Sequence, residues 1–331
     1  MTLQQNLSLQ ITNITEHWGY YELYNVPLLC CKLISSMEQN GYLHCYTWEG
    51  RSAKDNGFFD LLDQLCEYYN WNKSCITLES GNWVESHPEY VIFHTLHKFY
   101  SIVVGDNKLK HIDHNIPWNN KKYYGMFLGR ATPERMYCSF KHHNFKYKNS
   151  SLTSFNHNIR EVLQDKDALT YLTYSGQTVD QMLNTIVPYS DINDIFTSAI
   201  GYPDQTLGWE EIYRNIPLEI ICETSVSTNV FDPSEKTWRP MIYKRPFLAI
   251  GSKKFLARLR EVGYKTFESV IPDYYDELED NWRINAVFNI LAELIESGKI
   301  NTLLDDCKED LEHNYNQVIE LTSKWYFKIP F

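Results

Sequence analysis

The chain has 331 residues, a hydrophobic content of 43% and a formal net charge of −11. This length favours two domains over one. The sequence contains neither an apolar run of about 18 residues nor a basic start followed by an apolar stretch, so we expect no membrane helix and no signal peptide. Its eight cysteines are scattered without C-x-x-C spacing, which is typical of reduced, buried thiols in a cytoplasmic protein.

The first predicted domain, residues 1–117, is an α/β unit. The apolar spacing of residues 57–71 predicts an amphipathic helix. Short apolar runs predict strands at residues 42–48, 75–78, 90–93 and 99–104. The polar run that ends at Pro117 is the expected domain boundary.

The second predicted domain, residues 118–331, continues the α/β pattern and ends in helices. Its first strand covers residues 123–128, and a helix follows that has Thr132 as its N-cap and Pro133 at its first position. Further predicted elements are a strand at 169–174, a helix at 177–186, a strand–helix–strand unit at 218–251, a helix at 252–262 that ends before Gly263, and two acidic helices near 282–297 and 303–325.

The strand–helix–strand unit, LEIICETSVSTNVFDPSEKTWRPMIYKRPFLAIG, is the most informative stretch. Its first strand ends at Cys222 and its second at Ile250. Between them, Asp232 as N-cap and Pro233 at the first helical position predict the start of a helix. In open α/β sheets, ligands bind where strands end and the following helices begin. This unit therefore predicts a binding site at its loop and helix start.

The charged residues of this unit suggest what the site binds. Backbone N–H groups, the helix dipole, Lys236 and Arg239 would receive a phosphate. The carboxylates of Glu223 and Glu235 would repel phosphate, so we assign them to hydroxyl groups, and Ser234 belongs to the same donor-binding set. The alternative is an ordinary capped helix in which Glu235 only completes a capping box.

The segment Glu235–Arg239, E-K-T-W-R, resembles the donor-binding motif of fucosyltransferase-type glycosyltransferases. Glu223 is similar to the acidic residue of that family's F-E-N segment, which reads C-E-T here, so the resemblance implies no particular donor. The continuation through 263–267 and 273–276 resembles glycosyltransferase-like proteins of phages and aquatic microbes. The similar region covers residues 121–290.

This resemblance implies an α/β fold of the GT-B type, in which two Rossmann-like domains face each other across a cleft, here with C-terminal helices. It implies an enzyme that moves a sugar from a nucleotide-diphosphate sugar to an acceptor hydroxyl with inversion, using the nucleotide sugar as co-substrate and no resident cofactor. The general base would come from the N-terminal domain. By their positions at predicted strand ends, Glu79 and Glu49 are the candidates.

Arg130 and Arg135 form a second predicted anion site at the strand end and helix start near residue 130. We expect them to bind pyrophosphate together with Lys236 and Arg239. The alternative is two surface arginines at a helix start. The D-x-D pattern at Asp165–Asp167 lies in a polar stretch rather than after a strand, so we predict a metal-independent enzyme.

A basic segment, residues 98–148, stands out in this acidic protein. It contains ten Lys and Arg residues against three acids. One interpretation is an acceptor that is a polyanion, for example a modified base in phage DNA, and the other is a glycan or small-molecule acceptor beside a solvated surface. A different class stays open, a non-catalytic protein that binds nucleic acid or another polyanion through this segment. The segment contains Lys98, Lys108, Lys110, Lys121, Lys122, Arg130, Arg135, Lys141, Lys146 and Lys148.

Overall fold

The computed structural model describes residues 26–47, 53–54, 57–82, 86–95, 116–129, 132–155, 189–190, 209–224, 226–321 and 326–327. The chain divides into two compact units. The first contains residues 1–98, 229–232 and 324–331, and the second contains residues 99–228 and 233–323. Both contain parallel strands and helices, which confirms the α/β class. The predicted boundary after residue 117 stays a prediction.

The first unit contains a four-stranded sheet in the order β1-β2-β3-β9. The first three strands run parallel and β9 is antiparallel to β3, so the end of the chain returns to this unit. The sequence did not predict this return. The strands are β1 Leu43–Thr47, β2 Ile76–Ser80, β3 Val91–Thr95 and β9 Tyr326–Phe327, and the helices are α1 Val26–Asn40 and α2 Phe58–Tyr69.

Helix α2 forms because its apolar residues recur on one face. Phe58, Leu61, Leu62 and Leu65 are all buried, as the spacing predicted. They belong to one core with the inward side chains of β1 and β2. Burial of a leucine contributes about 1.5–3 kcal/mol. This face therefore fixes α2 on the sheet and leaves its opposite side to solvent.

The second unit contains a five-stranded sheet in the order β6-β5-β4-β7-β8. Strands β5, β4, β7 and β8 are parallel, and β6 is antiparallel to β5. The strands are β4 Tyr124–Leu128, β5 Ser151–Phe155, β6 Tyr189–Ser190, β7 Glu219–Cys222 and β8 Phe247–Ile250. The helices are α3 Pro133–His143, α4 Glu210–Asn215, α5 Glu235–Ile242, α6 Phe255–Glu261, α7 Asp280–Glu296, α8 Leu303–Asp306 and α9 Lys308–Leu321.

The order of the strands positions a site in this unit. From β4 the chain goes to β5 on one side, and later to β7 and β8 on the other side. The strand order therefore reverses between β4 and β7. At such a switch point the connections after neighbouring strands diverge and leave a crevice, where open α/β sheets bind ligands.

Most predicted elements of the second unit that fall on described residues are confirmed with small shifts in their ends, but the helix predicted at 303–325 is two helices, α8 and α9, separated at Cys307. Thr132 is the N-cap of α3, and its side chain accepts the N–H of Arg135. The predicted start of α5 after Asp232 was wrong, because Ser234 is its N-cap. Gly263 has a φ of 98°, which suits the predicted helix end. The predicted elements at 99–104, 169–174 and 177–186 lie outside the described residues.

Two further predictions concern thiols and membranes. In the described residues, the cysteines are free, and six of them are buried as the sequence predicted. Cys75 is partly buried and Cys31 is exposed. A membrane-crossing helix, one both long and apolar enough, does not occur in the described part of the chain.

Candidate active site

The N-terminus of α5 is built around the carboxylate of Glu223, the residue directly after β7. Its Oε1 accepts the backbone N–H of Ser234 at 3.0 Å and the hydroxyl of Thr237 at 2.6 Å. Its Oε2 accepts the hydroxyl of Ser234. Glu223 is only 1% exposed. An internal carboxylate therefore satisfies the donors of this helix start, and the helix dipole favours its negative charge.

Lys236 adds a positive charge to this cluster. Its Nζ lies 2.6 Å from Glu235 Oε1, 3.1 Å from Ser234 Oγ and 4.0 Å from Glu223 Oε2. Burial alone would raise the pKa of Glu235, but the charge and hydrogen bond of Lys236 outweigh it and hold that pKa at about 2. Glu235 is therefore ionised at neutral pH. The cluster contains two carboxylates, one ammonium and two hydroxyls.

Arg135 of α3 binds the two residues that flank Glu223. Its Nη2 donates to the Cys222 carbonyl at 3.1 Å and to Thr224 Oγ1 at 3.2 Å, and its Nε donates to the same carbonyl at 3.3 Å. Next to it, Glu134 accepts the hydroxyl of Ser227 at 2.5 Å. The start of α3 is thus bound to the loop after β7. Of the two predicted anion-binding arginines, Arg135 therefore lies beside the residues that flank Glu223, and Arg130 lies outside the described residues.

Arg239, in contrast, lies on the buried side of α5. Its Nη2 forms an ion pair with Glu219 Oε1, and its Nε donates to the Tyr213 hydroxyl at 3.2 Å. Its guanidinium lies 3.9 Å from the centroid of the Trp209 ring and 5.5 Å from that of Phe127. A guanidinium engaged in this way anchors α5 to Glu219 and Tyr213. Trp238 is also fully buried.

These contacts correct the predicted geometry of the site. We expected the helix start to be open to phosphate and Glu223 to face a ligand hydroxyl, but Glu223 faces the hydroxyls of Ser234 and Thr237. We expected Arg239 to point at phosphate, but it points at Glu219. A carboxylate within an apolar strand costs too much to bury unpaired, which explains the second difference. The roles of these residues toward a donor stay predictions.

In the first unit, the predicted general base Glu79 lies near the end of β2 and is 8% exposed. Its Oε2 lies 3.2 Å from His44 Nε2, and His44 Nδ1 lies 2.8 Å from Thr77 Oγ1. The Thr77 hydroxyl donates to the Leu43 carbonyl, so it accepts from His44. Both ring nitrogens of His44 therefore face oxygen atoms, and one of these oxygens belongs to Glu79.

Several predicted residues lie outside the described part of the chain: Glu49, Arg130 and Asp165–Asp167. The basic segment is described in part. Lys122 donates to the Asn149 carbonyl at 2.8 Å, Lys148 donates to the His143 carbonyl at 2.8 Å, and Lys146 pairs with Glu296. These three ammonium groups make contacts within the protein.

Two residues of this site, Glu219 and Thr237, were not predicted from the sequence, although residue type and spacing indicate them. Glu219 is a lone acid inside the apolar strand L-E-I-I-C, which indicates a buried cationic partner. Thr237 lies three residues after Ser234, on the same face of the helix start.

Neither a comparison with models of protein families nor one with curated protein sequences finds a match for this chain.

Proposed function

We propose that this protein is a nucleotide-sugar-dependent glycosyltransferase of the GT-B type. It would move a sugar from a nucleotide-diphosphate sugar to an acceptor hydroxyl, with inversion and without a metal. The observation that carries the proposal is the polar cluster of Glu223, Ser234, Glu235 and Lys236 at the switch point of a parallel sheet. The resemblance to the E-K-x-W-R motif assigns Glu235 and Lys236 to donor binding, and the resemblance to the F-E-N segment assigns Glu223 to it.

The position of the cluster supports a ligand site for a physical reason. A helix that needs only a cap is satisfied by one side chain at its N-cap. Here Ser234 already caps the helix, and Glu223, Glu235 and Lys236 are added around it. Buried charges of both signs are costly to assemble. Function accounts for that cost more readily than stability does.

In the proposed reaction, Lys236 exchanges Glu235 for an oxygen of the donor diphosphate. Glu235, freed from the ammonium, accepts a hydroxyl of the sugar or ribose. Glu223 keeps Ser234 and Thr237 oriented, and Arg135 holds the loop after β7 against α3. Arg239 acts as a positioning residue, since its ion pair with Glu219 anchors the helix that carries Lys236.

The chemical step then needs one base and one stabilised leaving group. The base takes the proton of the acceptor hydroxyl. Glu79 is the candidate base that lies within the described residues. The hydroxyl oxygen attacks the anomeric carbon from the face opposite the diphosphate, and the bond to the diphosphate oxygen breaks. Lys236 neutralises the charge that develops on the leaving diphosphate. The two-domain cleft that would place acceptor and donor together belongs to the same proposal.

Calorimetric titration with nucleoside diphosphates tests the proposal. Wild-type protein should bind at least one of UDP, GDP and ADP in the presence of EDTA. Lys236→Met keeps the aliphatic stem and removes the ammonium. Losing a charge-assisted phosphate contact costs about 1.5–3 kcal/mol, so we expect the Kd to rise roughly ten- to hundredfold.

The matched control is Lys253→Met. Lys253 lies in the loop after β8, with a side chain that is 42% exposed and paired with Glu279 at 2.7 Å. Its replacement should leave the Kd unchanged. Equal affinity of wild type and Lys236→Met would show that the cluster only caps a helix. If no nucleotide sugar from a panel is bound or hydrolysed by the wild type, the transferase assignment is wrong.

A further inference from the structure

Three aromatic rings meet on the surface of the first unit where α2 ends. The rings of Tyr68 and Tyr69 have centroids 4.8 Å apart in an edge-on arrangement. Tyr69 stacks on Trp71 with centroids 5.3 Å apart and an interplanar angle of 20°. Tyr68 is 68% exposed and Tyr69 is 38% exposed. We call Tyr68, Tyr69 and Trp71 the aromatic surface.

The aromatic surface is fixed in place by the end of its helix. Asn70 adopts a left-handed conformation with a φ of 55°, which turns the chain sharply after Tyr69. The backbone N–H groups of Asn70 and Trp71 both donate to the Cys66 carbonyl. Trp71 also packs against the hydrophobic core of the unit. A rigid platform loses little conformational entropy when a ligand binds.

Polar groups surround the rings and are available to a ligand. Within the described residues, the hydroxyls of Tyr68 and Tyr69 and the side-chain amide of Asn70 make no hydrogen bond to protein. Asn72 is exposed, and its side-chain Oδ1 accepts the Ser74 N–H at 3.0 Å. Flat apolar faces combined with neutral donors and acceptors match the C–H faces and hydroxyls of a sugar.

The charges near the aromatic surface decide between occupants. Glu67 is exposed directly beside Tyr68. Lys73, the nearest cation along the chain, is paired with Asp63 at 2.8 Å and with Glu89 at 2.6 Å. A single-stranded nucleic acid needs unpaired cations beside its stacking rings. An apolar protein partner would favour aliphatic neighbours, but the exposed large apolar side chains of α2 are both tyrosines.

We propose that the aromatic surface is a binding site for a neutral glycan. Pyranose rings stack on Tyr68 and Tyr69, while the phenol hydroxyls and the Asn70 and Asn72 amides bind sugar hydroxyls. Its role as the docking site of the acceptor rests on the proposed function, because the resemblance gives the acceptor to the N-terminal domain. Binding itself does not depend on catalysis.

Affinity electrophoresis in native gels tests the proposal, with a soluble mannan, a soluble β-glucan and a soluble galactan as probes. Wild-type protein should be retarded by at least one of them. Tyr68→Ala and Tyr69→Ala should weaken the affinity about tenfold or more, as for a tyrosine at the centre of an interface. Tyr68→Phe keeps the ring and should lose less. Tyr274→Ala, an equally accessible tyrosine of the second unit with 56% exposure, is the matched control and should behave as wild type.

Retardation that Tyr68→Ala leaves unchanged, or that Tyr274→Ala removes equally, would overturn the proposal. So would the absence of retardation by all three polysaccharides, or binding of a single-stranded oligonucleotide in their place. Titration of the same variants with nucleoside diphosphates separates the two proposals. If polysaccharide binding is lost and nucleotide binding is kept, the aromatic surface is confirmed as a separate site. If nucleotides fail to bind any protein but polysaccharide binding follows the tyrosines, only the transferase assignment is wrong.

Discussion

Two helices of the second unit begin after neighbouring parallel strands, and both of their N-termini receive a carboxylate from elsewhere in the chain. Helix α5 follows β7 and is capped by Glu223, which lies 11 residues before Ser234. Helix α6 follows β8 and is capped by Asp276, which lies 20 residues after Leu256. Because the strands are parallel, both caps lie at the same edge of the sheet.

The two caps differ in what they bind. Asp276 accepts two backbone N–H groups, of Leu256 and Ala257, each at 3.0 Å. Glu223 accepts one backbone N–H and two hydroxyls. Backbone donors are fixed by the helix, whereas hydroxyls rotate and can turn to another acceptor. The cap of α6 is therefore complete, and the cap of α5 can rearrange around a ligand.

The charged groups around the two helix starts also differ. Burial raises the pKa of Asp276, and its two backbone hydrogen bonds and nearby arginines only partly oppose this effect. At α5, burial of Glu235 is outweighed by the adjacent ammonium of Lys236. A carboxylate pair with its own cation exceeds what capping requires. This difference supports the proposal that the start of α5 has a role beyond stability.

The largest expected effect is a loss of stability when the buried ion pair between Arg239 of α5 and Glu219 is broken. Arg239→Met leaves the carboxylate of Glu219, which is 1% exposed, without its cation. Breaking a buried ion pair from one side costs about 3–5 kcal/mol of the free energy of unfolding. Urea denaturation measures this loss.

The double variant Arg239→Met/Glu219→Gln is the control for this prediction. It removes both charges, and we expect it to recover most of the stability. An Arg239→Met protein that is as stable as wild type but fails to bind nucleotides would contradict the anchoring role and return Arg239 to the phosphate.

The next effect compares the two caps directly. Glu223→Gln replaces an acceptor by an NH₂ group that faces donors, and it removes the negative charge near Lys236. We therefore expect the free energy of unfolding to fall by about 2–3 kcal/mol. Asp276→Asn should lose about 1–2 kcal/mol, since one of its two backbone N–H groups loses its acceptor. Nucleotide titration then separates them, because only Glu223→Gln should weaken binding. Equal weakening by both variants would remove the distinction between the helix starts.

The sequence predicted much of this architecture because its signals are local. Apolar runs predicted β4, β7 and β8, the Thr132–Pro133 pair predicted the start of α3, and the helix–strand alternation predicted the class. The expectation of a site at the end of β7 came from the strand–helix–strand pattern, because open α/β sheets bind ligands where strands end, and it stays a prediction.

The direction of the site's side chains could not be predicted in the same way. Arg239 pairs with Glu219, 20 residues earlier, and Arg135 bonds to Cys222, 87 residues later. Such partners depend on which strands are neighbours, and the order β5-β4-β7-β8 is not contained in any short pattern. The lone acid of β7 shows that a buried partner is needed but does not identify it.

A smaller effect concerns pH. Glu235 has a pKa of about 2 in the folded protein against an ordinary value of 4.5, so the unfolded chain takes up its proton first as pH falls. The stability from this group is present above pH 4.5 and is lost as pH falls toward 2. The stability difference between wild type and Glu235→Gln should therefore shrink over this range in urea titrations.

Asp276 should show the opposite sign. Its pKa is raised in the folded protein, so the folded state takes up the proton first, and wild type should gain stability relative to Asp276→Asn as pH falls through that raised pKa. The same sign for both variants would contradict the opposite pKa shifts of Glu235 and Asp276.

The smallest effect lies at the entry to α6. Lys254, its N-cap, has a left-handed φ of 64° and no side-chain cap, whereas Ser234 enters α5 in an extended conformation. A left-handed conformation costs a side-chain-bearing residue about 1–2 kcal/mol, and the extra freedom of glycine in the unfolded chain offsets about 0.5–1 of this. Lys254→Gly should therefore stabilise the protein by about 0.5–1 kcal/mol without changing nucleotide affinity. Thermal unfolding and nucleotide titration check both parts.

Ser234→Gly at the corresponding position of α5 should destabilise the protein and weaken nucleotide binding, since it removes the hydroxyl that contacts Glu223 and Lys236. If both glycine variants stabilise the protein and leave nucleotide binding intact, the two helix starts are equivalent and α5 is only a capped helix.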